Sequence, residues 1–516
     1  MRTLILFALA LPAAAAVHVE GGRLAGIPGK DRSITVYKGI PFAAPPVGDL
    51  RWRGPKPVIP WQGVRKADQF GASCIQNIVN EHKPWTYEFM THTEVSEDCL
   101  FLNVWTGAKS AGETLPVYVY IHGGANTEGS GAVPVYDGEG LAKKGIVVVT
   151  VNYRLGIFGF FTHPDLTAES DHHASGNYAL LDLIAALKWI HGNIAAFGGN
   201  PNRVTIGGQS AGASNVHSLV ASPLAKGLFH GAIAQSGSSV GGLGLMGART
   251  LAEQESAGAR FAEAKGAHSA AELRKLSWKE LTAPVPGVQA RFGVVVDGWV
   301  QPESAGEMFA HSRQNDVPTL TGCNKEDIGG ASTRSTATVE SFQKMAQRYG
   351  ELATAFLKLY PAATDEQAAE SQNQSSVDSM RASMYVWAVN RAKTARTKVY
   401  TYFWEHVMPG PDADKYGAFH TSEVPYVMNA LAMSDRPFTE ADHKIADTLS
   451  SYWVNFIRSG DPNGKGLAHW PATTEQPGTT MELGDKDTVI PVTGNADKLS
   501  FFENFWSRPR PASPAK

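Results

Sequence analysis

A serine between two glycines, at the end of an apolar strand, is the setting in which a hydroxyl becomes a nucleophile. Ser210 stands in Val204-Thr-Ile-Gly-Gly-Gln-Ser-Ala-Gly-Ala213. The run has the form of a strand, then G-x-S-x-G, then small helix formers. A strand that turns at once into a helix exposes the hydroxyl at its tip and strains the backbone there. Gly208 and Gly212 flank the serine because side chains at those positions would meet the neighbouring strand and helix. The chemistry this predicts is attack of Ser210 Oγ on a carbonyl, through a covalent acyl intermediate.

Such a nucleophile needs a base, a group that orients the base, and donors for the developing oxyanion. Ile121-His-Gly-Gly-Ala125 follows a second apolar strand. Its glycines let backbone N–H groups turn toward one point, so Gly124 and Ala125 are expected donors, with Ala211 N–H as the third. Of 16 histidines, His420 stands out, in Tyr416-Gly-Ala-Phe-His-Thr-Ser-Glu-Val-Pro-Tyr426. It lies on a loop well downstream of a predicted strand, and the chain order serine, acid, histidine suits this fold class. For the acid, Thr321-Gly-Cys-Asn-Lys-Glu-Asp-Ile328 follows a strand and offers Glu326 and Asp327. Adjacent residues point in different directions, so only one can face the histidine, and the residues by themselves leave the choice open. The pair His172-His173 has no companion ligand cluster and reads as a surface loop. The chemistry calls for no metal and no organic cofactor.

The elements that must hold these groups are legible as apolar runs at 117–121, 145–153, 204–208, 231–235, 317–323 and 399–403, with an amphipathic helix at 178–196. The run at 145–153 is apolar enough to be covered on both faces. Strands alternating with helices give an α/β fold: a central, mostly parallel, twisted sheet with helices on both faces. In such sheets the site lies at the carboxyl ends of the strands. Residues 19–70, rich in Gly and Pro, read as short strands and turns at an edge. Segments 241–300 and 332–395 read as helical insertions forming a cap beside the sheet, all within one domain over 17–506. The tail 507–516 is expected to be disordered.

The chain has 516 residues, 43% hydrophobic and 18% charged, with a formal net charge of -3. No long run of one charge sign points to nucleic acid or to an anionic membrane surface. Met1-Arg2-Thr3, an apolar stretch from Leu4 to Leu11 and Ala14-Ala15-Ala16 read as a secretory signal removed after about Ala16. The apolar stretch is too short to span a bilayer. The expectation is a secreted or periplasmic protein without stable membrane insertion, monomeric or homodimeric. In an oxidising compartment a Cys74–Cys99 bridge leaves Cys323 as a thiol; three reduced, buried cysteines are the alternative.

Together these segments resemble the type-B carboxylesterase family, which includes cholinesterases and bacterial esterases active on nitrobenzyl esters. The likeness runs from about residue 18 to about 506. It is carried by Lys38-Gly-Ile-Pro-Phe-Ala-Ala-Pro-Pro-Val-Gly48, Ser96-Glu-Asp-Cys-Leu-Phe-Leu-Asn-Val104, Asn152-Tyr-Arg-Leu-Gly156, Phe197-Gly-Gly-Asn-Pro201, Gln235-Ser-Gly237 and Gly460-Asp-Pro-Asn463. The resemblance implies the α/β-hydrolase fold and a serine carboxylesterase acting on a small-molecule ester. It supports the Cys74–Cys99 pairing and implies a structural ion pair between Arg51 and Glu97. It selects Asp327 as the acid, five residues after Gly322, and makes Ser236 a serine that supports the acid.

Two departures from the family pattern stand out. The usual acid segment is Asp-Glu-Gly, where this chain has Glu326-Asp327-Ile328. An aspartate acid is one methylene shorter, so the loop or His420 must sit closer. After the oxyanion loop many relatives carry an aromatic residue, where this chain has Asn126-Thr127-Glu128. That predicts a more hydrophilic pocket entrance, suited to an ester bearing hydroxyl or carboxyl groups. Trp85, Tyr87 and Phe89 are candidates to line an acyl or alcohol pocket, or else ordinary packing aromatics. The rival readings are a specialised feruloyl- or polycarboxylic-ester esterase, a lipase, an amidase, and a non-catalytic adhesion protein on the same fold.

Overall fold

The computed structural model describes residues 16–237, 249–287, 291–327 and 335–507. Eleven strands form one sheet. In chain order they are β1 (Ile27–Pro28), β2 (Thr35–Pro41), β3 (Phe101–Thr106), β4 (Leu115–Ile121), β5 (Val147–Val151) and β6 (Gly199–Gln209). They continue as β7 (Gly231–Gln235), β8 (Thr319–Asn324), β9 (Val399–Trp404), β10 (Thr479–Leu483) and β11 (Thr488–Pro491). Across the sheet they run β11-β10-β9-β8-β7-β6-β4-β5-β3-β2-β1. The central run from β5 to β10 is parallel, and antiparallel strands close both edges.

Both faces of the sheet are covered, and single strands show how. Val117, Val119 and Ile121 of β4 join a core with the helix α1 (Tyr178–Asn193) and the helix α2 (Ala211–Ala221). Tyr118 and Tyr120, the alternate residues, join the opposite core with α4 (Glu440–Ser459). This two-sided burial follows from the period-2 alternation of a strand, and it makes the run apolar throughout. α1, extended by a short turn to Phe197, has the length and composition to cross a membrane. It is instead packed into the sheet's core, with Leu180, Leu183, Leu187 and Ile190 buried.

The expected strands all form. β6 begins five residues before its apolar run, because Gly199 already pairs with Leu115; residues 200–203 fall in an irregularity before regular pairing resumes at Val204 with Val117. The described parts of the insertions are largely helical: Leu251–Ala264, Ala270–Lys275 and Trp278–Thr282 in the first, and the long α3 (Asp365–Ala392) in the second. The expected leader and C-terminal tail lie outside the described residues save for Ala16 and Ser507.

Candidate active site

Ser210 directly follows β6 and caps α2 with φ 57° and ψ -122°. L-residues rarely hold such a conformation, and here it turns the chain at once from strand to helix. The flanking glycines are required by contact. A Cβ on Gly208 would sit 2.6 Å from the carbonyl carbon of Gly212, and one on Gly212 would sit 2.1 Å from Ile121 O. The Ser210 N–H donates to Gln235 O at 2.8 Å, which ties the turn to β7.

The loop after β4 runs beside the nucleophile: a Cβ on Gly123 would lie 3.1 Å from Ser210 Cβ. Gly124 and Ala125 take φ values of 100° and 53°. Thr127 and Glu128 donate their N–H groups back to Gly124 O at 2.9 and 3.0 Å, closing a tight turn. The N–H groups of Gly124, Ala125 and Ala211 have no acceptor among the described residues. Three unpaired donors flanking one serine are what a developing oxyanion requires. His122 anchors the loop: its carbonyl accepts from Tyr153 OH at 2.8 Å, and its ring stacks on Tyr153. Burial pushes its pKa down to about 4, so it is a neutral structural histidine.

His420 Nδ1 hydrogen-bonds Asp327 Oδ1, and the Asp327 side chain is almost fully buried. The second oxygen of Asp327 accepts from Asn324 N–H at 3.2 Å. Glu326 is engaged elsewhere. Its Oε2 accepts from Ala418 N–H at 2.8 Å, and its own N–H donates to Ala418 O at 3.2 Å. It therefore clamps the loop that carries His420, while its neighbour meets the imidazole. Ser236 does not fill the supporting role that the resemblance implied. Its buried hydroxyl has no hydrogen-bond partner among the described residues.

His420 Nε2 lies 3.1 Å from Gln209 Nε2. An amide nitrogen can only donate and a carboxylate can only accept. The two contacts thus select the tautomer with hydrogen on Nδ1 and a lone pair on Nε2, the form a general base needs. Burial opposes a charged imidazole, but the charge and hydrogen bond of Asp327, with Glu423 behind it, outweigh this. The His420 pKa is raised above its ordinary 6.5.

Gln209 and Glu423 were not singled out from the sequence. Glu423 Oε1 accepts from Gln235 Nε2 at 3.0 Å, and Oε2 accepts from Asn324 Nδ2 at 2.7 Å. Burial pushes its pKa up to about 7. The available signal was its place three residues after His420, on the same turn of chain.

A cavity of about 200 Å³ opens over Ser210 and His420, walled by Trp85, Phe89 and Tyr136 and by Gln76, Glu128 and Thr421, among others. Trp85 Nε1 donates to His420 O at 3.0 Å, so this aromatic is part of the site. Phe89 joins it, whereas Tyr87 is 61% exposed and stacks on His92 away from the cavity. Of the three polar residues after the oxyanion loop, Glu128 lines the cavity, while Asn126 Oδ1 accepts from Asn215 Nδ2 at 2.9 Å.

The wall residues Trp85 and Phe89 lie in a loop closed by the Cys74–Cys99 disulfide, with S–S 2.06 Å. Arg51 grips Glu97 through Nε at 2.7 Å and Nη2 at 2.6 Å, and its Nη1 reaches Leu276 O at 2.7 Å. Cys323 is a buried free thiol whose pKa is raised by burial.

The sequence profile of the carboxylesterase family matches residues 13–502. Over 518 residues the chain is 35% identical to a fumonisin B1 esterase of Sphingopyxis macrogoltabida, covering 94% of this chain and 90% of the relative. It is 33% identical to a cocaine esterase of Homo sapiens, over 95% and 90% of the two chains. It is 35% identical to a medium-chain fatty acyl-CoA hydrolase precursor of Anas platyrhynchos, over 86% and 83%. With an α/β-hydrolase sheet and a serine elbow facing an Asp–His pair, the chain belongs to the carboxylesterase family and is a carboxylic ester hydrolase.

Proposed function

We propose that Ser210, His420 and Asp327 hydrolyse a small-molecule carboxylic ester through an acyl-enzyme. The observation that carries this is the Asp327–His420 hydrogen bond, which leaves the lone pair of Nε2 facing the cavity that also holds Ser210. In this structure Gln209 Nε2 donates to that lone pair. For reaction, Ser210 Oγ–H replaces the amide as donor. His420 takes the proton as Oγ attacks the ester carbonyl, and Asp327 stabilises the imidazolium that results.

The oxyanion then meets the N–H groups of Gly124, Ala125 and Ala211, each worth roughly 3–4 kcal/mol in the transition state. The ester C–O bond breaks and the alcohol leaves with the proton from His420. Water, deprotonated by the same Nε2, attacks the acyl carbonyl, and the acid is released as Ser210 Oγ recovers its proton. Export to an oxidising compartment is supported by the apolar start of the chain and by the Cys74–Cys99 bridge.

The test is Ser210→Ala, assayed on short-chain nitrophenyl esters. Turnover should fall by roughly 10⁴-fold or more with the circular-dichroism spectrum unchanged. Substantial activity in the folded variant would remove Ser210 from the mechanism.

A further inference from the structure

Gly124, Ala125 and Asn126 are consecutive residues in the left-handed region, with φ of 100°, 53° and 60°. Glycine takes such a backbone freely, asparagine less so and alanine rarely. Two of the three carry oxyanion donors, so their placement decides whether the donors can act. The hydrogen bonds of Thr127 and Glu128 to Gly124 O lie within the turn and do not fix where it sits. Among the described residues, the hydrogen bonds that tie residues 124–126 to the rest of the molecule are both made by Asn126. Its carbonyl accepts from Gly156 N–H at 2.7 Å, and its Oδ1 accepts from Asn215 Nδ2 at 2.9 Å. Asn126 is not among the residues that line the cavity, so its side chain serves the loop.

Asn215 stands on the nucleophile's own helix. α2 begins at Ala211, whose N–H is the third donor, and Asn215 follows one turn later on the same face. The Asn215 side chain is fully buried, and Ala213, Val216 and Leu219 around it anchor the helix in the core. The Asn126–Asn215 bond therefore joins the two halves of the oxyanion hole: a strained loop that carries two donors and a fixed helix that carries one. Donors stabilise an oxyanion together only when they converge on one atom.

Resting on the ester-hydrolase reading above, we propose that Asn126 and Asn215 are positioning residues, whose side-chain hydrogen bond sets the oxyanion loop against the nucleophile helix. They touch neither substrate nor the reacting atoms. They act by holding Gly124, Ala125 and Ala211 N–H in register.

The experiment compares wild-type protein with Asn126→Ala, Asn215→Ala and the double variant. Two quantities are read: kcat/KM on nitrophenyl butyrate, and inhibition by an alkyl trifluoromethyl ketone set against inhibition by the corresponding trifluoromethyl alcohol. Ser210 Oγ adds to the ketone carbon, its proton passes to His420 Nε2, and the C=O π pair becomes an oxyanion in the hole. The alcohol fills the cavity without forming an oxyanion. Each single variant should lose roughly 10- to 100-fold in kcat/KM, chiefly through kcat, as misplaced groups do. Ketone affinity should fall by the same factor and alcohol affinity should stay as in the wild type. The double variant should lose no more than either single one, because all three lack the same bond. Asn126→Gly keeps the backbone conformation at less strain and should still be impaired. Losses that add in the double variant, wild-type rates in Asn126→Gly, or ketone and alcohol affinities that fall together overturn the inference. Should Asn215→Ala fail to fold, the half-buried Asn126 variants carry the test through the ketone–alcohol contrast. Wild-type protein that cleaves no ester and is not inhibited by the ketone overturns the ester-hydrolase reading itself.

Discussion

The division of labour between Glu326 and Asp327 is the sharpest residue-scale feature. Asp327 meets the imidazole, and Glu326 ties the acid loop to the backbone at Ala418. Asp327→Asn should therefore lower kcat by roughly 10⁴-fold, because an amide favours the wrong tautomer of the base. Glu326→Gln should retain activity within about tenfold; steady-state kinetics on one nitrophenyl ester separates the two. The pH profile carries a second test. A base works unprotonated, and His420 has its pKa raised by Asp327 and Glu423 against the effect of burial. The acidic limb of kcat/KM should then lie above pH 6.5, and Glu423→Gln should move it to lower pH, as read from initial rates across pH 5–9. A limb unmoved by Glu423→Gln would deny Glu423 its influence on the base. Ser210, His420 and the oxyanion glycines were legible because each has a local signature. Choosing Asp327 over Glu326 took the family resemblance. Gln209, Glu423 and Asn324 were not legible, because their roles depend on two strand ends and a loop that meet only in three dimensions, and the hydroxyl of Ser236 has no partner among the described residues.

The loop between Cys74 and Cys99 is the element that builds the cavity wall. It brings Trp85 against His420 and sets Phe89 beside it, with Gln76 holding the oxyanion loop at Gly129. The disulfide limits the freedom of this 25-residue separation in the unfolded chain. Cys74→Ser combined with Cys99→Ser should cost about 3–4 kcal/mol of stability by loop entropy, measured by denaturant unfolding. It should also raise KM more than it lowers kcat, since the wall loosens while the Asp–His pair stays on the sheet. Strands such as β4 and β7 were read from apolar runs almost residue for residue. The start of β6 was missed, because Gly199 pairs with Leu115 ahead of an irregular, polar stretch at 200–203 that carries no apolar signal.

At the scale of the whole molecule, the sheet is what brings residues 124, 210, 327 and 420 together. The loops after β4, β6, β8 and β9 all leave the carboxyl ends of parallel strands, the edge at which such sheets place their sites. Alternation of residues into two cores made this architecture readable from the chain. The shape of the insertions was not readable, since helical composition does not specify where a helix docks. Arg51 joins three distant segments, at Glu97, Leu276 and its own loop. Arg51→Met leaves the mostly buried carboxylate of Glu97 unpaired and should cost up to about 3 kcal/mol, seen as a lower Tm.

The account turns on Ser210 as nucleophile, and the most direct measurement is mass-spectrometric mapping of a fluorophosphonate label on the wild-type protein and on Ser210→Ala. The account predicts a single adduct on the Ser210 peptide, blocked by a slowly hydrolysed ester and absent from the folded variant, which also loses turnover. An adduct on another serine, with turnover preserved in Ser210→Ala, would contradict it.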